Sequence, residues 1–305
     1  MKSTTLAVAI AAVLSAQAAS AANLLDVYRD ALSQDPVYAS ARAAYEAAKE
    51  AAPQARAGLL PSVSLSAGYN RNTRKFESFP QVDFNTNSYT LQLSQPLFRM
   101  QNWIAYDQAG KQVQQAEAVF ADASQNLIVR SSQAYFDVLL AQDNVSFSAA
   151  QKTAISEQLA QAKRNFEVGT ATITDTYEAQ AKYDLAVAKE IADLADLEIK
   201  KRALQQLIGK APATLAALRD KPVLALPAPA DMEQWVQAAS EASPTVVQFR
   251  LSSEIAAKEV DRSQAGHYPT VDLTANYGNS SSPGSIVPPV GPNFDTKASG
   301  LGLVL

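Results

Sequence analysis

The feature that most constrains this chain is a run of 115 residues, from Leu97 to Ala211, without a single proline. Proline and glycine are the residues that most often end a helix, and the run contains only three glycines, at positions 110, 169 and 209. It therefore predicts helix over a length that is uncommon in globular domains. The whole chain has only 11 glycines and 18% charged residues, which is typical of long, closely packed helices.

Gly169 predicts a reversal that divides this run into two antiparallel helices. A helix over 103–167 would be roughly 100 Å long, and one over 173–208 roughly 50 Å long. Two sets of residues recur every seven positions near the reversal and predict a coiled-coil-like seam: Val145, Lys152, Leu159 and Phe166, and Ser148, Ile155 and Ala162. A hairpin of this length cannot be buried against one compact core, so we expect it to pack against copies of itself or against a partner.

The first 21 residues are expected to form a secretory signal peptide. Lys2 supplies a basic start, residues 6–14 form an apolar segment, and residues 19–21 provide a small-residue cleavage site. The apolar segment is too short to span about 30 Å of hydrocarbon as a helix, although a retained anchor is the alternative. No later stretch has 18 uninterrupted apolar residues, so contact with a membrane would require strands or a peripheral partner.

The chain also contains an internal duplication at a fixed offset of 208 residues. Residues 58–69 match residues 266–277, with Gly, Pro, Val, Leu, Ala and Tyr at the same places, and Pro36 maps onto Pro244. A period this long indicates duplication of a domain-sized unit. We expect a first structural repeat over 22–220, a Pro/Ala linker over 221–230 and the start of a second repeat over 231–305. The rest of the second repeat would lie beyond Leu305.

Each repeat is expected to begin with helices and to continue into strands. Residues 23–57 are predicted to be helical, with a break at Asp35 and Pro36, and a polar loop is predicted over 70–87. Apolar residues alternate with Ser, Thr, Gln and Gly on both sides of that loop. The predicted strands, placed on one membrane-facing sheet, are 62–71, 88–97, 270–278 and 299–305. Strands of about ten residues suit a tilted membrane-spanning sheet, although a half-buried soluble sheet would alternate in the same way.

Composition argues against most catalytic and nucleic-acid-binding functions. The chain has one histidine, no cysteine and a net charge of −4, and it contains neither a nucleophile-elbow motif nor a P-loop. We therefore expect no enzyme, no cofactor, no metal site and no nucleic-acid partner. The single histidine, His267, is expected to be structural.

Taken together, these features resemble the TolC-type outer-membrane efflux and secretion channels. The resemblance covers 22–305 and rests most specifically on two segments, Ala134-Tyr135-Phe136-Asp137-Val138-Leu139 and Arg164-Asn-Phe-Glu-Val-Gly-Thr-Ala-Thr-Ile-Thr-Asp175. It implies a mainly α fold with long helical hairpins that form an α-barrel. It also implies membrane β-strands, four from each protomer of a homotrimer, that close one twelve-stranded barrel. The implied location is the cell outer membrane, in contact with its lipid, with a long periplasmic portion.

The same resemblance implies partners and functional residues. Such channels dock on a periplasmic adaptor protein and an inner-membrane pump of the RND or ABC type, and they pass drugs or polypeptides without catalysis. Arg164, Val168, Gly169 and Thr170 are expected to contact the adaptor, the alternative being a plain helix-ending glycine. Thr174 and Asp175 are expected to help close the periplasmic entrance, although the same pair could cap the returning helix. The partners of this gate would lie beyond Leu305.

Several assignments have alternatives. Arg71, Arg74 and Lys75 are expected in the first strand–strand loop, solvated or in contact with lipopolysaccharide. Trp103 is expected to anchor at the membrane interface or to pack between helices. A periplasmic adaptor built on a long coiled-coil hairpin is the competing function, but such a protein would lack the duplicated, paired strands.

Overall fold

The computed structural model describes residues 21–77, 79–212, 214–218, 227–284 and 290–305. Residues 1–20 of the expected signal peptide and most of the expected linker lie outside these residues. The chain divides into two compact units. One unit combines the residues up to Ala43 with Phe120–Trp235, and the other combines Ala44–Val119 with Val236–Leu305.

Three helices open the described part of the chain: α1 (Leu24–Gln34), α2 (Pro36–Lys49) and α3 (Ala51–Ala57). α1 begins with a capping box, in which the side chains of Asn23 and Asp26 accept hydrogen bonds from each other's backbone N–H. It ends at Asp35 because the following proline cannot continue a helix but is well suited to begin α2. The predicted helical region and its break are confirmed.

The long hairpin consists of α4 (Met100–Glu167) and α5 (Ile173–Ile208), with 68 and 36 residues. The prediction is confirmed, with α4 beginning three residues earlier than expected. In the first unit, α1, α4 and α5 meet in a core that includes Val27, Leu127 and Leu204. None of the described helices is both long enough and apolar enough to cross a membrane.

The predicted seam between α4 and α5 is present over most of its length. Ser148 and Leu159 are buried, and Val145, Lys152, Ile155 and Ala162 are partly buried. Phe166 is 42% exposed, so the seam ends short of the expected last position. Polar groups within the seam pair across the hairpin, with Lys152 Nζ 2.5 Å from a carboxylate oxygen of Glu190. A polar pair inside an apolar seam favours one register of the two helices.

The second unit carries one four-stranded antiparallel sheet, in the order β1-β2-β3-β4. Its strands are β1 (Ser62–Phe76), β2 (Phe79–Phe98), β3 (Val271–Pro283) and β4 (Asn293–Val304). Two helices, α6 (Met232–Ala242) and α7 (Pro244–Gln264), and a 3₁₀ turn (Ala265–His267) precede β3. α7 is joined to the first part of α4 by ion pairs, among them Lys111–Glu254 at 2.7 Å and Asp107–Lys258 at 2.9 Å.

All four predicted strands lie on one sheet, but the predicted loop over 70–87 is wrong. β1 and β2 continue through most of it and pair as far as Phe76 and Phe79. The extension is stabilised by polar contacts: a carboxylate oxygen of Asp83 lies 3.1 Å from the Arg71 guanidinium, and the Thr73 hydroxyl donates to Asp83 at 2.7 Å. Arg71, Arg74 and Lys75 therefore lie in a strand. β4 likewise begins at Asn293, six residues before its predicted start.

Candidate functional site

The sheet has one apolar face and one small, polar face. In an antiparallel pair, directly opposite residues point to the same side, so the register identifies each face. Leu65 lies opposite Leu91, which lies opposite Tyr277. In the neighbouring row, Val63, Leu93, Ala275 and Leu301 align across all four strands. The opposite face carries Ser62, Ser64, Ser66, Thr90, Gln92, Ser94, Thr274, Asn276, Gly300 and Gly302.

The apolar face is open to the surroundings in this chain. Leu65 is 72% exposed and Leu301 is 77% exposed. A continuous apolar surface of this kind marks a contact with lipid or with another protein. Within the described residues, β1 and β4 each pair with only one neighbour, so each leaves a row of backbone N–H and C=O groups without a partner in the sheet.

The apolar band ends at two tyrosines, Tyr69 and Tyr89. Beyond them the polarity of the two faces reverses. Arg71 and Asp83 lie on the same face as Leu65 and Leu91, whereas Phe84 lies on the face that carries the Ser, Thr and Asn residues. Alternation with a defined apolar height and aromatic residues at its edge is typical of strands that cross a membrane interface.

The tip of the hairpin is a well-formed Schellman turn. The N–H of Thr170 donates to the carbonyl of Asn165 at 2.8 Å, and the N–H of Gly169 donates to that of Phe166 at 3.0 Å. Gly169 has φ +80°, in the left-handed region that favours glycine, and a Cβ added there would meet no atom within 4 Å. The turn therefore requires a glycine for its backbone and leaves open space above it.

The predicted adaptor-contact residues lie together around this turn. Val168 is 72% exposed, and Arg164 is exposed, with no hydrogen bond or ion pair from its guanidinium to the described residues. The Thr170 hydroxyl donates to the carbonyl of Asn165 at 3.0 Å, which holds its side chain against the end of α4. Val168 and Arg164 thus place an exposed apolar side chain and an exposed cation at a hydrogen-bonded turn.

Asp175 takes part in a capping box at the start of α5. The hydroxyl of Thr172 accepts a hydrogen bond from the N–H of Asp175 at 3.3 Å. Oδ2 of Asp175 accepts from the N–H and the hydroxyl of Thr172, both at 2.8 Å. The hydrogen bond from the backbone of Thr172 contributes most to lowering the pKa of Asp175, and the bond from the Thr172 hydroxyl adds to it. The pKa is therefore below its usual range, and the carboxylate is ionised at neutral pH. The capping interaction leaves Oδ1 available for a second partner.

Sequence reasoning missed Thr172, although its spacing to Asp175 is that of a capping box. The N-cap is Thr172, and the exposed Thr174 does not cap the helix. Asp175 lines a shallow groove near the tip with Glu178, Ala179 and Lys182 of α5 and Ile155 and Gln158 of α4. Glu178 and Lys182 pair within that groove at 2.7 Å.

The other residues singled out by the sequence lie apart from the tip. His267 ends the 3₁₀ turn before β3, and Trp103 is exposed on the first turn of α4. Among the described residues, no group of three or more His, Cys, Asp or Glu side chains could hold a metal ion.

Comparison with known proteins places these features in context. The family model described as "Outer membrane efflux protein" matches residues 27–210. The outer membrane protein TolC of Vibrio cholerae is 35% identical over 263 residues, which cover 86% of this chain and 59% of that protein. The alkaline protease secretion protein AprF of Pseudomonas aeruginosa is 34% identical over 275 residues, covering 86% of this chain and 56% of AprF. The chain therefore spans less than two thirds of the length of these relatives.

Solved structures show the same fold. A membrane protein from Pseudomonas aeruginosa superposes with a TM-score of 0.71 at 20% identity, covering 92% of this chain and 67% of that one. The outer membrane protein VceC of Vibrio cholerae superposes with a TM-score of 0.68 at 21% identity, covering 92% of this chain and 68% of VceC. The predicted fold class, long helical hairpins with membrane strands, is confirmed. The competing interpretation as a periplasmic adaptor finds no support in these matches.

Proposed function

Because the chain belongs to the outer membrane efflux protein family, we propose that the full-length protein is the outer-membrane exit duct of a tripartite efflux pump or a type I secretion system. It conducts drugs or polypeptides passively, without catalysis. The observation that carries this proposal is the two-faced sheet. Its exposed apolar rows, with Leu65 and Leu91 at their centre, suit lipid, and its Ser, Thr, Asn and Gly face suits a water-filled lumen.

The four described strands cannot close into a barrel by themselves, and we propose that further copies of the chain close the sheet. A strand edge cannot remain unpaired in hydrocarbon, because each unsatisfied backbone group costs several kcal/mol there. Four strands are also too few for a closed barrel, whose smallest membrane examples have about eight. We infer a homotrimer in which β4 of one protomer pairs with β1 of the next. The exposed apolar residues of the long hairpin, such as Phe147 and Leu185, would then be covered by neighbouring hairpins.

The hairpin tip is the proposed contact for a periplasmic adaptor protein that links the duct to an inner-membrane pump of the RND or ABC type. The exposed side chains of Val168 and Arg164 offer an apolar and a charged contact, and Gly169 leaves space for a close approach. Thr170 completes the surface on the rigid turn.

Thr174 and Asp175 are proposed to help hold the periplasmic entrance closed. Asp175 is ionised, and Oδ1 is not used by the capping box, so it can accept a charge-assisted hydrogen bond from a neighbouring hairpin. Thr174 is exposed on the same first turn of α5. Capping and gating are compatible, because they use different oxygens of one carboxylate.

Fractionation and conductance together test this function. The full-length protein should be recovered from detergent-extracted outer membrane as a heat-sensitive trimer, and it should conduct ions when reconstituted in planar bilayers. Recovery as a soluble monomer that forms no conducting species would overturn the proposal.

A further inference from the structure

A groove in the second unit lies where α3 leads into β1. It is lined by Ala52, Pro53, Arg56, Leu60 and Tyr106 and has a volume of about 390 Å³. The Nδ2 of Asn102 donates to the carbonyl of Gly58 at 2.6 Å, which joins the end of α3 to the first turn of α4. The groove is therefore formed by two elements that are already held together.

The polar groups of the groove have no partner among the described residues. Arg56 is exposed in the last turn of α3, a helix without an acidic residue, and its guanidinium takes part in no ion pair or hydrogen bond. The hydroxyl of Tyr106 is likewise unbonded within the described chain. A cation and a hydroxyl above a mainly apolar wall are suited to an anionic amphiphile, because the guanidinium and the hydroxyl can both bind a phosphate.

The groove lies next in sequence to the apolar face of the sheet. Leu60 is 49% exposed in the groove, and Val63, three residues later, begins the outward apolar row of β1. Leu97 and Phe98 at the end of β2 and Trp103 on α4 are also exposed. Aromatic and cationic residues at the end of an apolar band are typical of the lipid headgroup region.

We propose that this groove binds one anionic glycerophospholipid, with its phosphate on Arg56 and Tyr106 and the beginning of an acyl chain on Leu60, Ala52 and Pro53. The inference rests on the proposed location of the sheet in the outer membrane. The offset of 208 residues places Gln264 at the position of Arg56 in the second repeat, so that repeat lacks the cation. Within the described residues, the charge pattern therefore gives one such site.

Native mass spectrometry of the detergent-solubilised full-length protein tests whether the positive charge of Arg56 contributes to lipid binding. The protein is titrated with phosphatidylglycerol and, separately, with zwitterionic phosphatidylethanolamine. Arg56→Gln should weaken phosphatidylglycerol binding about fivefold, the effect of one arginine at a membrane surface. It should weaken phosphatidylethanolamine binding less, because the ammonium group of that lipid offsets the charge of its phosphate. Arg42→Gln is the matched control, since Arg42 is an exposed arginine on α2 outside the groove and has no ion pair with the described residues. Equal effects of the two variants, or none from Arg56→Gln, overturn the site.

Fluorescence quenching separates failure of this site from failure of the proposed location. In a full-length protein whose tryptophans other than Trp103, Trp235 included, are replaced by Phe, phosphatidylglycerol brominated near the headgroup should quench Trp103, and Arg56→Gln should weaken that quenching. A tryptophan introduced by Leu65→Trp, with every native tryptophan, Trp103 and Trp235 included, replaced by Phe, should be quenched by lipid brominated deep in the acyl chain. If it is not, the membrane location itself is wrong. If it is, but Arg56→Gln changes nothing, only the lipid site is wrong. Displacement of the lipid by inorganic phosphate alone would instead assign the groove to a free anion.

Discussion

At the scale of single residues, Asp35 connects elements that lie far apart in the sequence. Its side chain is 3% exposed, and Oδ2 accepts a hydrogen bond from the N–H of Tyr38, which caps α2. The same carboxylate binds the guanidinium of Arg130 on α4, 95 residues away, at 2.5 Å. The carboxylate therefore fixes the start of α2 against the long helix.

Loss of Arg130 should be costly because it would leave a buried carboxylate without its counter-charge. We expect Arg130→Gln to lower the free energy of unfolding by about 3 kcal/mol, measured by urea denaturation of the full-length protein. Asp35→Asn combined with Arg130→Gln should recover part of this loss, because an amide can still accept the bond from Tyr38 and carries no charge. If Arg130→Gln alone were as stable as the wild type, the Asp35–Arg130 pair would contribute nothing to the free energy of unfolding.

The pH dependence of the free energy of unfolding should also show the contribution of the Asp35–Arg130 pair. Burial acts to raise the pKa of Asp35, but the hydrogen bonds from Arg130 and from the backbone of Tyr38 together outweigh it and lower the pKa below its usual range. A lowered carboxyl pKa stabilises the folded state above the pKa of the unfolded chain, about 3.9, and this contribution is lost as the pH falls below that value. Wild type should therefore lose more stability between neutral pH and about pH 3 than Arg130→Gln does.

At the scale of elements, the two faces of the sheet predict opposite responses to the same charge. Leu65→Arg should destabilise the full-length protein in bilayers by about 2–4 kcal/mol if the site lies at the membrane midplane. Ser64→Arg is the matched control, because Ser64 is the neighbouring residue of the same strand and points to the other face. It should assemble normally and shift the ion selectivity of the pore. Equal trimer yields from the two variants on semi-native gels would contradict the assignment of faces.

Two substitutions in the turn between α4 and α5 can distinguish the backbone conformation that Gly169 supplies from a contact between the tip and the adaptor. Gly169→Trp should abolish cross-linking to the adaptor and export, while the strands still assemble, because a side chain would fill the open space at the tip. Gly169→Asn is the control for conformation, since Asn tolerates the left-handed region better than other residues and is small. Export at the wild-type level by the Trp variant would show that the tip is only a turn.

These elements also show which features a sequence can predict. The long helices were predictable because the absence of proline is a local property, and α5 has the expected bounds. The outer parts of β1 and β2 were missed because the polarity of the two faces reverses beyond Tyr69. Phe84 lies on the otherwise polar face and Asp83 on the otherwise apolar face, which interrupts the apolar alternation. The Asp35–Arg130 pair could not be predicted, because nothing in a single sequence connects positions so far apart. Thr172 carried a recognisable spacing and was overlooked.

At the scale of the whole molecule, the symmetry of the proposed trimer would repeat the same weak contact of Asp175 in each protomer. Each protomer would contribute one Asp175, so three equivalent contacts would bias the entrance of a trimer towards the closed state. Each exposed contact is weak, and folding does not depend on it. A gate built in this way can be opened by binding of a partner, because no single strong interaction must be broken.

The capping box makes a decisive test of this gate possible. Asp175→Ala combined with Thr174→Val removes both the cap and the proposed contact, whereas Thr172→Ala removes the N-cap hydroxyl and leaves the Asp175 carboxylate in place. If Asp175 holds the entrance closed, the first variant should raise single-channel conductance in planar bilayers and admit large antibiotics, and Thr172→Ala should do neither. If the residue only caps α5, both variants should lower thermal stability to a similar extent and keep the wild-type conductance. Conductance that rises equally in both would mean that fraying of the first turn of α5, and not the carboxylate contact, controls the entrance, and the gating role of Asp175 would be withdrawn.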